Sequence, residues 1–198
     1  MNDAISAEEV LNKLTQLGFF KFAQAGDMNR ICENIKQNFM QYGGLESGDA
    51  YHDFLIPLDR RMYHADAEEL AEQGVCDFLN DMRPVLEAEG VQIESLRDDA
   101  RWTEQKDYIY CVWVNGQQHL ICDTSQGEKD CWCLAHKRTL EIIDGLLIAA
   151  NSRERVYGQA SRNDAGIALL TDELHRYICS LYPNDSAVLF RAETMRCE

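Results

Sequence analysis

Residues 122–136 read CDTSQGEKDCWCLAH and place Cys122, Cys131, Cys133 and His136 within fifteen positions. Thiolates and an imidazole are zinc ligands, so the four are the chain's candidate metal set. Their spacing is Cys-x8-Cys-x-Cys-x2-His. Structural zinc sites instead present Cys-x2-4-Cys knuckles, because a tight turn must aim two sulfurs at one ion. A redox dithiol would need Cys-x-x-Cys before a helix, and none is present. Cys122 also falls on the apolar face of a hairpin with Ile109 and Leu120, as a core residue would. The expectation is therefore no resident metal or cofactor, and much less than one equivalent of zinc. Cys32, Cys76, Cys111 and Cys179 stand in apolar sequence and read as small hydrophobes. All these thiols are expected to be reduced, so a reductant should leave the melting temperature nearly unchanged.

Other catalytic patterns are missing. The histidines, His52, His64, His119, His136 and His175, are scattered and form no His-Glu-x-x-His. The chain has no Gly-x-Ser-x-Gly elbow, no phosphate-cradling loop and no dinucleotide glycine fingerprint. Asp98-Asp99 is a carboxylate pair, but without an apolar pocket to raise one pKa it is simply solvated. In LDRR (58–61), the tight basic pair is expected to meet nearby acids rather than phosphate.

The elements that must position these residues follow from periodicity. Ser6 and Glu9 form a capping box, Ile5 and Val10 a hydrophobic staple, and Val10, Leu11, Leu14 and Leu17 one helical stripe ended by Gly18. Asp27 can cap a second helix through Ile31, Ile35 and Phe39, stopped by Gly43-Gly44. FLIPLDRRMY (54–63) reads as extended, limited by Pro57 to an edge. A third helix is expected from Asp66 to Glu89, weakened or kinked at Gly74 and Pro84. VQIESL (91–96) alternates like a strand, and Asp98-Asp99 flanks a loop. In DYIYCVWVNGQQHLICD, Asn115-Gly116 is a type I′ turn. Pairing about it sets Val114 opposite Gln117, Val112 opposite His119 and Tyr110 opposite Ile121. Trp113, Cys111, Ile109, Leu120 and Cys122 then share the other face, and both faces should be covered. A helix near 137–150, strands at RVYGQ, AGIALLT and AVLF, and a Thr171-capped helix complete the chain. The reading is one α+β domain over 1–198. A helical N-terminal part, with a candidate lobe over 1–44, precedes a mostly antiparallel sheet with packed helices.

Charge is the strongest bulk signal. There are 34 acids and 19 bases, net −15, and residues 66–99 hold 11 acids against Arg83 and Arg97. Such a field repels nucleic acid and anionic membranes and attracts a basic partner. The bland alternative is that acidity only keeps the protein in solution. No apolar run approaches the roughly 20 residues of a membrane helix, and MNDAISAEEV is no signal peptide. The expected compartment is cytoplasmic.

The segments LTQLGFFKFAQAGDMNRICENI, AEELAEQGVCDFLNDMRPVLEAEGVQIESL, DYIYCVWVNGQQHLI and NSRERVYGQASRNDAGIALLTDEL follow in an order that resembles small acidic bacterial immunity proteins found beside polymorphic toxins. Ser161-Arg162-Asn163-Asp164 stands where that group tends to read Gly-Gly-Asn-Asp. The resemblance implies a non-enzymatic cytosolic protein that blocks a toxin domain by occlusion, with a basic toxin as partner. Asp98, Asp99 and Glu104 would steer it, and Trp102 would anchor it if exposed, although a single tryptophan more often packs in a core. The competing readings are a small enzyme with an unrecognised site and a zinc-stabilised accessory domain.

Overall fold

The computed structural model describes residues 5–42, 60–159, 164–182 and 189–197. It is an α+β protein of N-terminal helices followed by two three-stranded antiparallel sheets. Helix α1 (Ala7–Gln16) carries the full capping box, and Gly18 ends it in the left-handed region at φ 77°. FFKF forms a 3-10 turn leading to α2 (Met28–Tyr42). The stretch 54–59 lies outside the described residues. β1 (Met62–Asp66) follows, and Asp66 caps α3 (Ala67–Glu69). The expected kink falls at Glu72 and Gln73, where helical geometry breaks beside Gly74 before α4 (Val75–Ala88). A Cβ on Gly74 would stand 2.6 Å from the Glu69 carbonyl oxygen, so only glycine fits. Pro84 sits inside α4, which runs on to Ala88.

One sequence expectation shifts here. Residues 91–95 are irregular, and the strand is β2 (Leu96–Trp102), LRDDARW. Its outward positions are charged, which hides a strand from a search for apolar alternation. β2 pairs with β3 (Tyr108–Val114), which pairs with β4 (Gln117–Asp123). Helix α5 (Cys131–Ala149) starts earlier than expected because Asp130 accepts the Cys133 amide and caps it. β5 (Glu154–Gln159), β6 (Asp164–Thr171) and the Thr171-capped α6 (Asp172–Ser180) complete the order. β6 lies between β1 and β5. Of AVLF, only Leu189 and Phe190 are described, and Phe190 forms an isolated antiparallel bridge to Gly158.

The core explains the layering. Ala65, Val156, Ile167 and Leu169 leave one face of β1-β6-β5 and join α4 and α5 residues with Tyr110, Val112, Val114 and Ile121 of the second sheet. Met62, Tyr157, Ala168 and Leu170 leave the other face and meet α1, α2 and α6. The layers are thus β2-β3-β4, then α4 and α5, then β1-β6-β5, then α1, α2 and α6. The N-terminal helices share the second apolar cluster with a sheet and α6.

Between the clusters lies a buried ion pair. Arg61 and Glu154 are each 1% exposed. Arg61 Nη1 donates to Glu154 Oε2 at 2.8 Å and to the Leu169 carbonyl at 2.7 Å, while Nη2 reaches the Gly18 carbonyl at 2.8 Å. The guanidinium also lies 4.7 Å over the Phe22 ring. LDRR was expected to meet nearby acids. Arg61 meets one 93 residues away in sequence.

Candidate binding surface along strand β2

The candidate metal set separates. The register matches expectation from Val114↔Gln117 through Cys111↔Leu120, and then a bulge pairs Tyr110 with Cys122 instead of Ile121. One extra residue turns everything beyond it to the opposite face. Ile121 and Cys122 are both fully buried, and Cys122 reaches Cys131 in a disulfide, with Cα atoms 5.5 Å apart. Cys133 is bonded to Cys197, 64 residues on. Placing Cys122 on the hairpin face of Ile109 and Leu120, and expecting Cys122, Cys131 and Cys133 to be reduced, are both corrected by this pairing, whereas Cys32, Cys76, Cys111 and Cys179 are free thiols as expected. Asp130 makes a cap that puts Cys131 and Cys133 on the first turn of α5. Arg138 braces the loop before it by gripping Glu128, whose carboxylate also accepts the Asp123 amide.

His136 does not turn toward these sulfurs. It is 4% exposed, edge-on to Phe190 at 6.3 Å, and its Nε2 has no hydrogen-bond partner. Burial holds its pKa down at about 4, against a backbone hydrogen bond at Gly166 that raises it. With three sulfurs in disulfides and the imidazole in an apolar pocket, the set cannot ligate one ion as it stands. Among the described residues no other group of three or more ligand side chains converges.

The partner-binding candidates all lie on β2 and its turn, but on different faces. The turn geometry is set from a distance. Asn115, at φ 53° in the type I′ turn, accepts the amides of Glu94 and Ser95 and donates to the Gln92 carbonyl, delivering the chain into β2. Asp98 and Trp102 share a face with Leu96 and Ala100, and Asp99 lies on the other with Arg97 and Arg101. Glu104 stands in the turn closed by the Thr103 amide donating to the Asp107 carbonyl. Trp102 is 70% exposed, so it is no core residue. Its ring lies 5.1 Å from Tyr108, whose hydroxyl donates to the Ala71 carbonyl. The tryptophan is therefore held by a braced neighbour.

Acids gather beside this aromatic pair. Burial raises the Tyr108 hydroxyl pKa, and the charges of Glu72 and Asp98 raise it further. Burial, then Asp98, then Asp77 push the Cys76 thiol up to about 11, which makes it a poor nucleophile. The kinked helix thus brings Glu72 close enough to act on the same tyrosine as Asp98.

The outer face of β2-β3-β4 departs from expectation, since no described element packs on it. Ile109, Trp113 and Leu120 stay half-buried there. Arg97 lies 3.9 Å over the Trp113 ring, and the Gln118 amide reaches the Cys111 sulfur at 3.2 Å. Long polar side chains replace a covering layer.

Elsewhere the chemistry is structural. Cys179 and His175 are 3.4 Å apart on α6, but the same His175 Nε2 faces the Leu189 carbonyl at 3.2 Å. A nitrogen donating to that carbonyl has no lone pair with which to deprotonate the thiol. A hollow of about 260 Å³ between α5 and the C-terminal segment is lined by Glu141, Asp144, Arg191 and Glu193, with Arg191 already paired to Asp144 at 2.7 Å. The sequence is matched by no family model and by no curated protein, and the fold is matched by no solved structure.

Proposed function

We propose that this chain is an acidic binding protein that neutralises a basic toxin domain by direct occlusion, an immunity protein, with no catalytic step of its own. The observation that carries the reading is Trp102, 70% exposed and in tilted ring contact with Tyr108, whose hydroxyl feels the charges of Glu72 and Asp98. A rigid exposed aromatic within an acidic rim is suited to anchor and steer a cationic protein surface. Nucleic acid and anionic membranes lack the cationic complement such a rim needs. We place the protein in the cytoplasm with its toxin. The two disulfides make that placement testable, because cytosolic thiols are kept reduced. Alkylation mapping of protein quenched in its host would find Cys122, Cys131, Cys133 and Cys197 as thiols if the placement is right, and bonded if the compartment is oxidising.

The test of function is association with the toxin domain encoded beside this gene, followed by stopped flow at low and high salt. Association should slow markedly as salt rises. Asp99→Lys with Glu104→Lys should lower the on-rate, and Trp102→Ala should raise the off-rate about tenfold or more. Protection in a co-expressing cell should fall in parallel. A salt-independent rate, unaltered binding by these variants, or no binding to the neighbouring product sinks the reading.

A further inference from the structure

We infer that the outer edge of β2 is self-complementary and joins two copies of this chain, antiparallel and centred on Ala100. The backbone supplies the first part. The Ser95 carbonyl accepts from Asn115 N at 2.9 Å, and the Thr103 amide donates to the Asp107 carbonyl at 2.8 Å, so these two odd-numbered residues face β3. The β2–β3 register runs unbroken from Leu96↔Val114 to Trp102↔Tyr108. Antiparallel backbones alternate, so the N–H and C=O groups of Asp98, Ala100 and Trp102 point away from β3. Among the described residues no strand pairs with that edge. Three consecutive outward-facing residues are a template for another strand.

The side chains select the occupant and the register. A two-fold axis normal to the sheet pairs residues of equal parity across the edge. Centring on Asp99 opposes Asp99 to itself and Arg97 to Arg101. Centring on Asp98 opposes two Asp98 carboxylates, and centring on Arg101 opposes two guanidiniums. Centring on Ala100 sets Asp99 opposite Arg101 twice, Asp98 opposite Trp102 twice, and Ala100 against itself. That register alone among these four has no like-charge rung, and its six backbone hydrogen bonds join Asp98, Ala100 and Trp102 to the partner copy's equivalents. Charged side chains ordinarily keep an edge strand apart from others. Here the order Arg97, Asp99, Arg101 rejects a one-step slip and accepts this pairing. Asp99 and Arg101 are exposed, and their contact within one copy is a loose 3.5 Å.

The inference does not rest on the toxin reading, and its test contains only this chain. Sedimentation velocity is run from micromolar to hundreds of micromolar protein at about 150 mM salt, where a Debye length of ~8 Å screens the bulk repulsion of two acidic copies more than contacts across the seam. A concentration-dependent dimer is expected. Asp99→Arg alone and Arg101→Asp alone should each weaken it about tenfold or more, because each converts two attractive rungs into repulsive ones. The double exchange should restore it. Ala100→Pro should abolish it without a large change in melting, since the amide it removes faces away from β3. A monomer at every concentration overturns the inference. So does a dimer that both single exchanges and Ala100→Pro leave intact.

Discussion

Replacing Arg61 by methionine tests the join between the two apolar clusters. The guanidinium is 1% exposed and bonds Glu154 and the carbonyls of Gly18, Phe19 and Leu169. Methionine keeps most of the apolar stem but leaves the Glu154 carboxylate buried. Among the described residues Lys21 also approaches that carboxylate, at 3.9 Å, but it is half exposed and already committed to Glu89. Removing one partner of a buried pair costs about 3–5 kcal/mol. For a chain of 150–250 residues each kcal/mol shifts melting by roughly 2–4 °C, so the fall should be about 6–20 °C. Urea titration followed by far-ultraviolet circular dichroism gives the free energy, and calorimetry the melting point. Replacing both partners, as Arg61→Met with Glu154→Leu, should recover much of the loss, because no isolated charge remains. A single-variant loss under about 1 kcal/mol, or a double variant worse than the single one, would refute the view that an uncompensated charge dominates.

Two further predictions concern the disulfide region. On loop entropy, Cys133→Ser with Cys197→Ser should cost up to about 4 kcal/mol, and Cys122→Ser with Cys131→Ser about 2–3 kcal/mol, so reduction should lower the melting temperature, contrary to the sequence expectation; unchanged melting in reductant would count against both bonds. Because His136 is held neutral near pKa 4 against an ordinary 6.5, the unfolded chain binds the extra proton first, so stability present above pH 6.5 is lost as pH falls toward 4. About 1 kcal/mol should go between pH 6.5 and 5.5, and His136→Leu should flatten that part of the urea-derived profile; an equal slope in the variant rejects the assignment.

What the sequence made legible was whatever depends on neighbours a few residues apart. The capping box at Ser6 and Glu9, the left-handed Gly18, the kink by Gly74, the Asn115-Gly116 turn and the Thr171 cap are all local. Trp102 in a partly charged stretch could be named a binding candidate, though its exposure could not be read. The misses are non-local. β2 carries charge on the positions that face solvent, so its apolar alternation is too weak to see. The bulge between Tyr110 and Cys111 decides which side Cys122 takes, and no local motif announces it. Arg61 and Glu154 gave no signal to connect them across 93 positions. Cys197 had no local motif to tie it to Cys133.

When the reduced, unfolded chain is refolded in an oxidising buffer, the unequal spans of the two disulfides order the events of folding. Cys122 and Cys131 are 9 residues apart, flanking a short loop after a hairpin that forms from local sequence. Cys133 waits for Cys197, 64 residues downstream, and closing that larger loop costs more entropy. Until Cys197 emerges, Cys133 has Cys122 and Cys131 as its nearest thiols in the chain. The trap on this route is a Cys122–Cys133 bond, which leaves Cys131 free. A thiol–disulfide isomerase acting on that single mispairing, rather than a general oxidant, would then set the yield of native protein.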